Sequence, residues 1–364
     1  MSDDVDSRPI CYLVVGNHRS HDGIYEIALV LHDVLAVRYR LVVSSGVVPD
    51  EINILIDEFS SPGFADYLAE LRRRRPGTRY LVLATEFVTP VKVLGIELFK
   101  TFNFFGWRDS WRFVADIVLS KFSRRRSVPY FHRRFLGFRA LLGDIDGFIW
   151  MTPTVQEHMT ALLRTHSNVS LPNAVLYPII DLDSMGQKSK LQGAEFDFVM
   201  TGTQTGYRAG VFNKLSESFR ELHWDVCRSI GYSDQGATFL LLARNGEFTY
   251  PSPKLKELFN FNPPQSSSWK SCSITRIYRA AMAGQIPVVT KKFGDHEAED
   301  IAELWDEKKS TAQRLLTDGT IGRSLLIERY LAAVERYNGI AHRKNAAFFE
   351  VLDGLRSVPA SGSP

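Results

Sequence analysis

Two hydrophobic periods alternate along the chain. Short apolar runs are separated by longer stretches with apolar positions three and four apart. Ile10–Val15 (ICYLVV) is short, rich in β-formers and stops at Gly16, which predicts a strand. A polar loop, GNHRSHDG, leads to an apolar helix over Ile24–Val37. Ile52–Ile56 and Tyr80–Ala84 predict further strands. Between them, Phe64–Arg75 reads as a helix whose basic end suits the helix dipole. Gly147–Met151 predicts another strand, with a helix over about 154–165 after it. Such alternation implies an α/β protein with a parallel sheet and crossover connections.

Residues 172–193 hold Pro172, Pro178 and the polar run SMGQKSKLQG, which predicts a hinge. A second α/β series follows. Phe196–Met200 predicts a strand running into the loop TGTQTGYRAG, and Val211–Leu222 a helix. Phe239–Ala243 predicts a strand, and the Pro-rich stretch 251–269 a loop. Ile274–Ala283 then predicts a helix and Ile286–Thr290 (IPVVT) a buried strand. A long helix over about 325–355, broken near Gly339, fills most of the remainder. With 364 residues, the chain is about twice the usual single-domain length, so two cores are expected. The boundaries read as a polar tail at 1–8, a first domain at 9–185, a second at 186–323, helices at 324–356 and a disordered tail at 357–364.

Composition narrows the setting. Three scattered cysteines, Cys11, Cys227 and Cys272, do not make a disulfide framework and suit a reducing compartment. MSDDVDSRPI lacks the cationic start and apolar stretch of a signal peptide, and no run of 18 apolar residues occurs. The chain therefore reads as cytoplasmic. Open parallel sheets bind ligands at the carboxyl ends of their strands, so the chemistry is sought there.

The strongest motif runs from Ser271 to Thr290. Ser273 suits the cap of a helix beginning at Ile274, and Gly284 its end. Such a helix N-terminus offers free amides and a positive dipole to a diphosphate. Arg276 and Arg279, in its first two turns, add charge. Earlier, the loop holding Gly202, Thr203 and Gly206 lets backbone amides approach phosphate, with Tyr207, Arg208 and Lys214 following.

Ser273 or Thr275, Arg276, Ala280, Ala283, Gly284, Ile286, Pro287 and Val288 resemble the donor-binding segment of GT-B glycosyltransferases. The nearest groups are the exostosin-like and spore-maturation-type (CgeB-like) enzymes. FDFVMTGTQTGYRAGVFNK is similar to the first strand and loop of such a donor domain. Residues 146–163 resemble the last strand and helix of the acceptor domain, and 173–181 the segment entering the hinge. The resemblance implies two Rossmann-like domains with parallel sheets facing across a cleft. The second would hold a nucleotide sugar and the first the acceptor, with the last helix crossing back to the first domain. The donor would be held by Gly202, Thr203, Tyr207, Arg208, Lys214, Ser273, Arg276 and Arg279.

One departure matters. Retaining GT-B enzymes carry two glutamates eight positions apart across the donor helix, and Ser271 and Arg279 stand at those positions here. An inverting reaction needs one general base near the acceptor hydroxyl. The loop after the first strand offers Asp22, His21 and His18, and the end of the Tyr80–Ala84 strand offers Glu86. Asp22 is preferred, then Glu86, then His21. Asp144-Ile-Asp146 spells a metal-binding D-x-D but precedes a strand instead of following one, which reads as turn chemistry. His18 and His21 lack a third ligand, so no metal is expected.

The net charge of +3 conceals an uneven distribution. Residues 99–139 carry ten Lys/Arg against Asp109 and Asp116, together with twelve aromatics. Trp107, Trp111, Val114, Val118 and Phe122 fall at helical spacing beside Arg108, Arg112 and Lys121. Such a stripe suits an anionic membrane surface, and it equally suits a buried core with a solvated basic face. The small overall charge argues against nucleic acid. The expectation is a metal-independent, inverting glycosyltransferase with no cofactor beyond its nucleotide-sugar donor. Its acceptor is a glycan, a lipid-linked sugar or a protein, at the inner face of the membrane. A non-catalytic binding protein of the same fold and a sugar-nucleotide epimerase are the alternatives.

Overall fold

A computed structural model describes residues 7–15, 21–56, 63–85, 88–93, 96–101, 115–119, 130–167, 170–183, 191–193, 195–201, 206–221, 227–230, 248, 257–264, 271–305 and 322–357. In chain order the first elements are β1 (Ile10–Val14), α1 (His21–Leu35), β2 (Arg40–Ser44), β3 (Ile52–Ile56), α2 (Phe64–Arg74) and β4 (Arg79–Ala84). Next come β5 (Val88–Val93), β6 (Ile96–Thr101), α3 (Tyr130–Leu141), β7 (Gly147–Trp150), α4 (Pro153–Ser167) and β8 (Asn173–Val175). The remainder comprises β9 (Glu195–Thr201), α5 (Gly206–Glu221), β10 (Cys227–Ile230), β11 (Glu257–Phe261), α6 (Ile274–Met282), β12 (Ile286–Val289), β13 (Glu303–Leu304) and α7 (Arg323–Ser357). Two compact units result. One comprises 9–18, 44–176 and 347–364, and the other 1–8, 19–43 and 177–346.

A six-stranded sheet has the order β2-β1-β3-β4-β7-β8. The β1–β3, β3–β4, β4–β7 and β7–β8 pairings are parallel, as the strand–helix alternation predicts. Every residue of β3 and β7 is buried, which is why these strands are apolar apart from Asn53, whose side chain is bonded to the Val48 backbone and the Glu51 carbonyl. Tyr80, Val82, Phe148 and Trp150 form a core with Phe138, Leu141 and Met159 of the covering helices. Gly147 is required by close approach, because a Cβ there would stand 2.8 Å from the Pro172 carbonyl and 2.9 Å from Leu81.

Asp146 ties the start of β7 to β4. Its carboxylate accepts the Tyr80 amide at 2.7 Å and pairs with Arg72, while its own amide donates to the Tyr80 carbonyl. The second acid of the D-x-D is therefore engaged in turn and strand packing.

The second sheet, β10-β9-β11-β12-β13, is parallel throughout. Phe198 stacks on Phe259 at 4.6 Å and meets Trp305 edge-on at 5.9 Å. Two sheets of parallel strands with helices between them match the fold class read from the sequence.

Several elements differ from expectation. β2 was not anticipated, nor was the antiparallel β5–β6 pair. β11 lies inside the stretch read as a loop, where ELFNF is buried at all five positions. Its flanking prolines masked a strand that five residues suffice to form. α5 begins at Gly206, five residues before the expected start, which moves Tyr207 and Arg208 from a loop into a helix. α7 runs unbroken through Gly339, between buried Tyr337 and Ala341, so packing overrides the low helix propensity of glycine. Asn338 and Asn345 grip the predicted hinge segment, each making a two-way bond with the backbone, at Ile180 and Tyr177 respectively. The strand expected at 239–243 lies outside the described residues.

Parts of the basic aromatic stretch are described. Residues 99–101 belong to β6 and 130–139 to α3, and 115–119 are helical. Phe138 is a core residue stacked edge-on with Phe148, whereas Leu119 and Leu136 are exposed. Trp107, Trp111, Val114, Phe122 and Arg124 to Arg126 lie outside the described residues. Among the described residues, no helix is long and apolar enough to cross a membrane.

Candidate functional site

The carboxyl ends of β9 and β11, neighbours in the second sheet, each lead toward a helix. α5 follows β9 and α6 follows β11. Arg208 stands in the first turn of α5 and Arg276 in the first turn of α6. Two helix N-termini with arginines thus follow adjacent strands of a parallel sheet, where that topology places ligands.

Ser273 occupies the cap position of α6 as expected, although its side chain makes no capping bond. Its carbonyl accepts the amides of Arg276 and Ile277 instead, at 3.0 and 3.2 Å. Gly284 ends the helix with φ +73°, and the amides of Gly284 and Gln285 donate back to Ala281 and Ala280. α6 is buried along most of its length, from Ile274 through Ile277 and Tyr278 to Met282.

Three guanidiniums act on one another here. Arg208 is fully buried, and burial followed by the charge of Arg279 pushes it down to about 10. Burial, then Arg208 and Arg279, pushes Arg276 down to about 9, with Glu26 acting the other way. Both stay protonated at neutral pH. Arg276 Nη1 also donates to the Pro263 carbonyl just past β11, at 3.2 Å. Arg279, one turn after Arg276, donates to Glu26 Oε1 of α1 at 2.5 Å. These two side chains are only 8% and 14% exposed.

α1 belongs to the same compact unit as α6. A second tie joins them: the Tyr278 hydroxyl donates to the Asp33 carboxylate, which also lies 3.1 Å from His32 Nδ1. Glu26, Asp33 and Tyr278 were not singled out from the sequence. A signal was present, because Asp22, Glu26 and Asp33 recur at spacings of four and seven on one face of an otherwise apolar helix.

The remaining expected site residues are placed as follows. His21 and Asp22 fall in the first turn of α1, not in the preceding loop, because the helix begins three residues earlier than its apolar pattern. Asp22 stands one turn before Glu26 in that helix. An acid in a first turn is favoured by the helix dipole. Tyr207 is 38% exposed in the first turn of α5, and Lys214 lies exposed two turns further on. His18, Glu86, Gly202 and Thr203 lie outside the described residues.

Cys272, Asp295 and Glu299 bring ligand-type atoms within 4.8 Å of one another. Each carboxylate already serves the backbone. Asp295 accepts the Cys272 amide, and Glu299 accepts those of Phe293 and Gly294. Burial, then Glu299 and Asp295, raises the Cys272 thiol well above its usual value, so it stays protonated and ligates poorly. The group reads as a clamp on the loop after β12.

No protein-family model matches the chain, and no curated protein matches it either. Among solved structures it is similar to an alpha-glucosyltransferase in complex with UDP and a 13-mer DNA containing a HMU base. That match has 12% identity, 96% of this chain and 99% of that one covered, and a TM-score of 0.49. It is also similar to the GtfA/B complex, at 10% identity over 85% of this chain and 58% of that one, with a TM-score of 0.41.

Proposed function

We propose that the protein is a glycosyltransferase that moves a sugar from a nucleotide-sugar donor to a glycan, lipid-linked or protein acceptor. The observation that carries this reading is the group of Arg208, Arg276 and Arg279 at the carboxyl edge of the second sheet. Buried or partly buried guanidiniums at helix N-termini that follow adjacent parallel strands suit a site for an anion. Guanidiniums suit a diphosphate by geometry as well as charge. The motif resemblance of residues 271–290 supplies the sugar, with the exostosin-like and CgeB-like groups as nearest kin.

In this reading the domain of residues 186–323 holds the donor and that of 9–185 the acceptor. Arg208, Arg276 and Arg279 hold the diphosphate, with the first-turn amides of α6, while Gly202, Thr203, Tyr207 and Lys214 complete the donor contacts. Asp22 is the preferred base, with Glu86 and His21 next. It would take the acceptor hydroxyl proton as that oxygen attacks the anomeric carbon and the nucleoside diphosphate leaves, which inverts the configuration. No metal is assigned, because the guanidiniums neutralise the leaving diphosphate. The basic aromatic stretch at 99–139 would bring the enzyme to an anionic membrane carrying a lipid-linked acceptor. Anionic but not neutral vesicles should then bind the protein.

Arg279, standing where a retaining enzyme has a glutamate, favours a second reading: a non-catalytic protein that binds nucleotide sugars. Release of nucleoside diphosphate separates the two. Incubation with UDP-, GDP- and TDP-sugars should release diphosphate from one of them, faster with an acceptor present. Tight binding of one conjugate without release or transfer would establish the binding protein instead.

A further inference from the structure

A run of side-chain amide bonds climbs from the start of β11 to its carboxyl end. Gln285 Nε2 donates to the Glu257 carbonyl at 2.9 Å, and Asn260 Nδ2 donates to Gln285 Oε1 at 2.7 Å. Asn262 continues the run, its Nδ2 donating to the Asn260 carbonyl at 3.1 Å. Asn262 is the first residue past β11, and its own amide donates to the Val288 carbonyl of β12 at 2.7 Å. The next residue, Pro263, supplies the carbonyl that holds Arg276.

Asn262 is only 4% exposed. The end of its carboxamide that faces a carbonyl must be the NH2 group, so the other end is the oxygen. That oxygen, Oδ1, is buried and has no hydrogen-bond partner among the described residues. A buried acceptor without a donor is destabilising, and native chains keep few of them. This one stands at the carboxyl edge of a parallel sheet, where the topology places ligands. It also complements the arginines. Guanidiniums only donate, and a diphosphate at neutral pH only accepts. A carboxamide oxygen takes the opposite kind of group, an O–H. On a nucleotide sugar the hydroxyls nearest the diphosphate belong to the ribose on one side and to the transferred sugar on the other.

We propose that Asn262 is a specificity-determining residue of the donor site, its Oδ1 accepting a hydrogen bond from a hydroxyl of a sugar ring attached to the diphosphate. The inference rests on the donor reading above. The ties to the Asn260 and Val288 carbonyls hold the acceptor in place before the ligand arrives, so little side-chain freedom is lost on binding. A carboxamide whose NH2 already donates is also polarised toward stronger acceptance at its oxygen. An analogue lacking the hydroxyl is rejected, because the buried acceptor then stays unpaired.

The test compares dissociation constants in the full-length wild type and in Asn262→Leu, which keeps the volume and removes the acceptor. The ligands are UDP, its 2′,3′-dideoxy analogue and UDP-glucose, with GDP, its dideoxy analogue and GDP-mannose as a second series. A bond to the ribose weakens UDP and UDP-glucose about tenfold in the variant and leaves the dideoxy analogue unchanged. A bond to the transferred sugar weakens the conjugate alone. Equal weakening of all three ligands, or no change in any, would overturn the inference while leaving the donor reading intact. Should Asn262→Leu fail to fold, a crystal structure of the wild type with UDP-glucose reads the contact directly. A ligand hydroxyl within about 3.2 Å of Oδ1 is the expected result. A water or a protein donor on Oδ1, with every ligand hydroxyl out of hydrogen-bond reach, would overturn the inference. Failure of all these nucleotides and conjugates to bind the wild type would remove the donor reading and this inference together.

Discussion

Arg279 of α6 and Glu26 of α1 form a 2.5 Å ion pair between residues 253 positions apart in the chain. The pair fixes one of three guanidiniums that follow adjacent strands of a parallel sheet, and it places α1 beside them. Burial first, and then the charges of neighbouring guanidiniums, push both Arg208 and Arg276 below their ordinary values.

Arg208→Met keeps most of the buried stem and removes one of the cations. It should weaken nucleotide-sugar binding by about 1.5–3 kcal/mol, the usual worth of a hydrogen bond to a charged group. Thermal melting with and without ligand reads the effect, and an undiminished ligand-induced shift would remove Arg208 from the donor site.

Asp146 should behave as a structural acid. Asp146→Asn leaves Arg72 without its ion pair and weakens the bond to the Tyr80 amide. Denaturant unfolding should show a loss of about 1–3 kcal/mol. Donor affinity at matched temperature should stay unchanged, and a selective loss of metal-dependent activity would contradict the turn assignment.

Gly147→Ala inserts a methyl group against the Pro172 carbonyl and Leu81, both under 3.0 Å away. Backbone cannot retreat as a flexible side chain can. The expected loss is about 2 kcal/mol or more, read as a lowered denaturation midpoint.

Glu297 gives the protein an acid-sensitive tie. Burial opposes its ionisation most strongly, but the bond from Lys344, its own backbone amide and the charges of Lys344 and His296 outweigh that, so its folded value lies below 4.5. A lowered carboxylate value contributes stability above the unfolded value, and that contribution fades as pH falls through the folded one. Lys344 is 43% exposed, so the contribution is screened to about 0.5 kcal/mol. The stability difference between wild type and Glu297→Gln should be constant above pH about 5 and shrink below about 4. A difference that grows on acidification would reverse the assignment.

Much of the fold was legible because buried parallel strands announce themselves. INILI is apolar apart from Asn53, YLVLA is apolar throughout, and IPVV follows a glycine-terminated helix. β11 was hidden because ELFNF carries a glutamate and an asparagine, and only tertiary pairing shows that both are buried. Gly339 was misread as a break because local propensity carries no information about the flank on which α7 packs. At the site, Arg208 was legible because it follows a predicted strand, and Arg276 and Arg279 because they follow the expected helix cap at Ser273. Their mutual coupling was not, since it depends on β9 and β11 being neighbours. Glu26 was missed for a related reason. Its partner is supplied by a helix distant in the chain, and the spacing of Asp22, Glu26 and Asp33 marks a face of α1 without naming that partner.

The central claim is that Arg276 belongs to a diphosphate site, and a thermal-shift comparison of wild type with Arg276→Ala tests it most directly. The screen uses UDP, GDP, TDP and CMP with their common sugar conjugates. A ligand at 100 times its dissociation constant adds about 2.7 kcal/mol, which raises melting by a few degrees. The account expects such a shift with one nucleoside diphosphate or its conjugate in the wild type. It expects none in Arg276→Ala, whose unliganded fold is retained. An equal shift in both proteins would place the nucleotide elsewhere, and no shift with any ligand would contradict the claim itself.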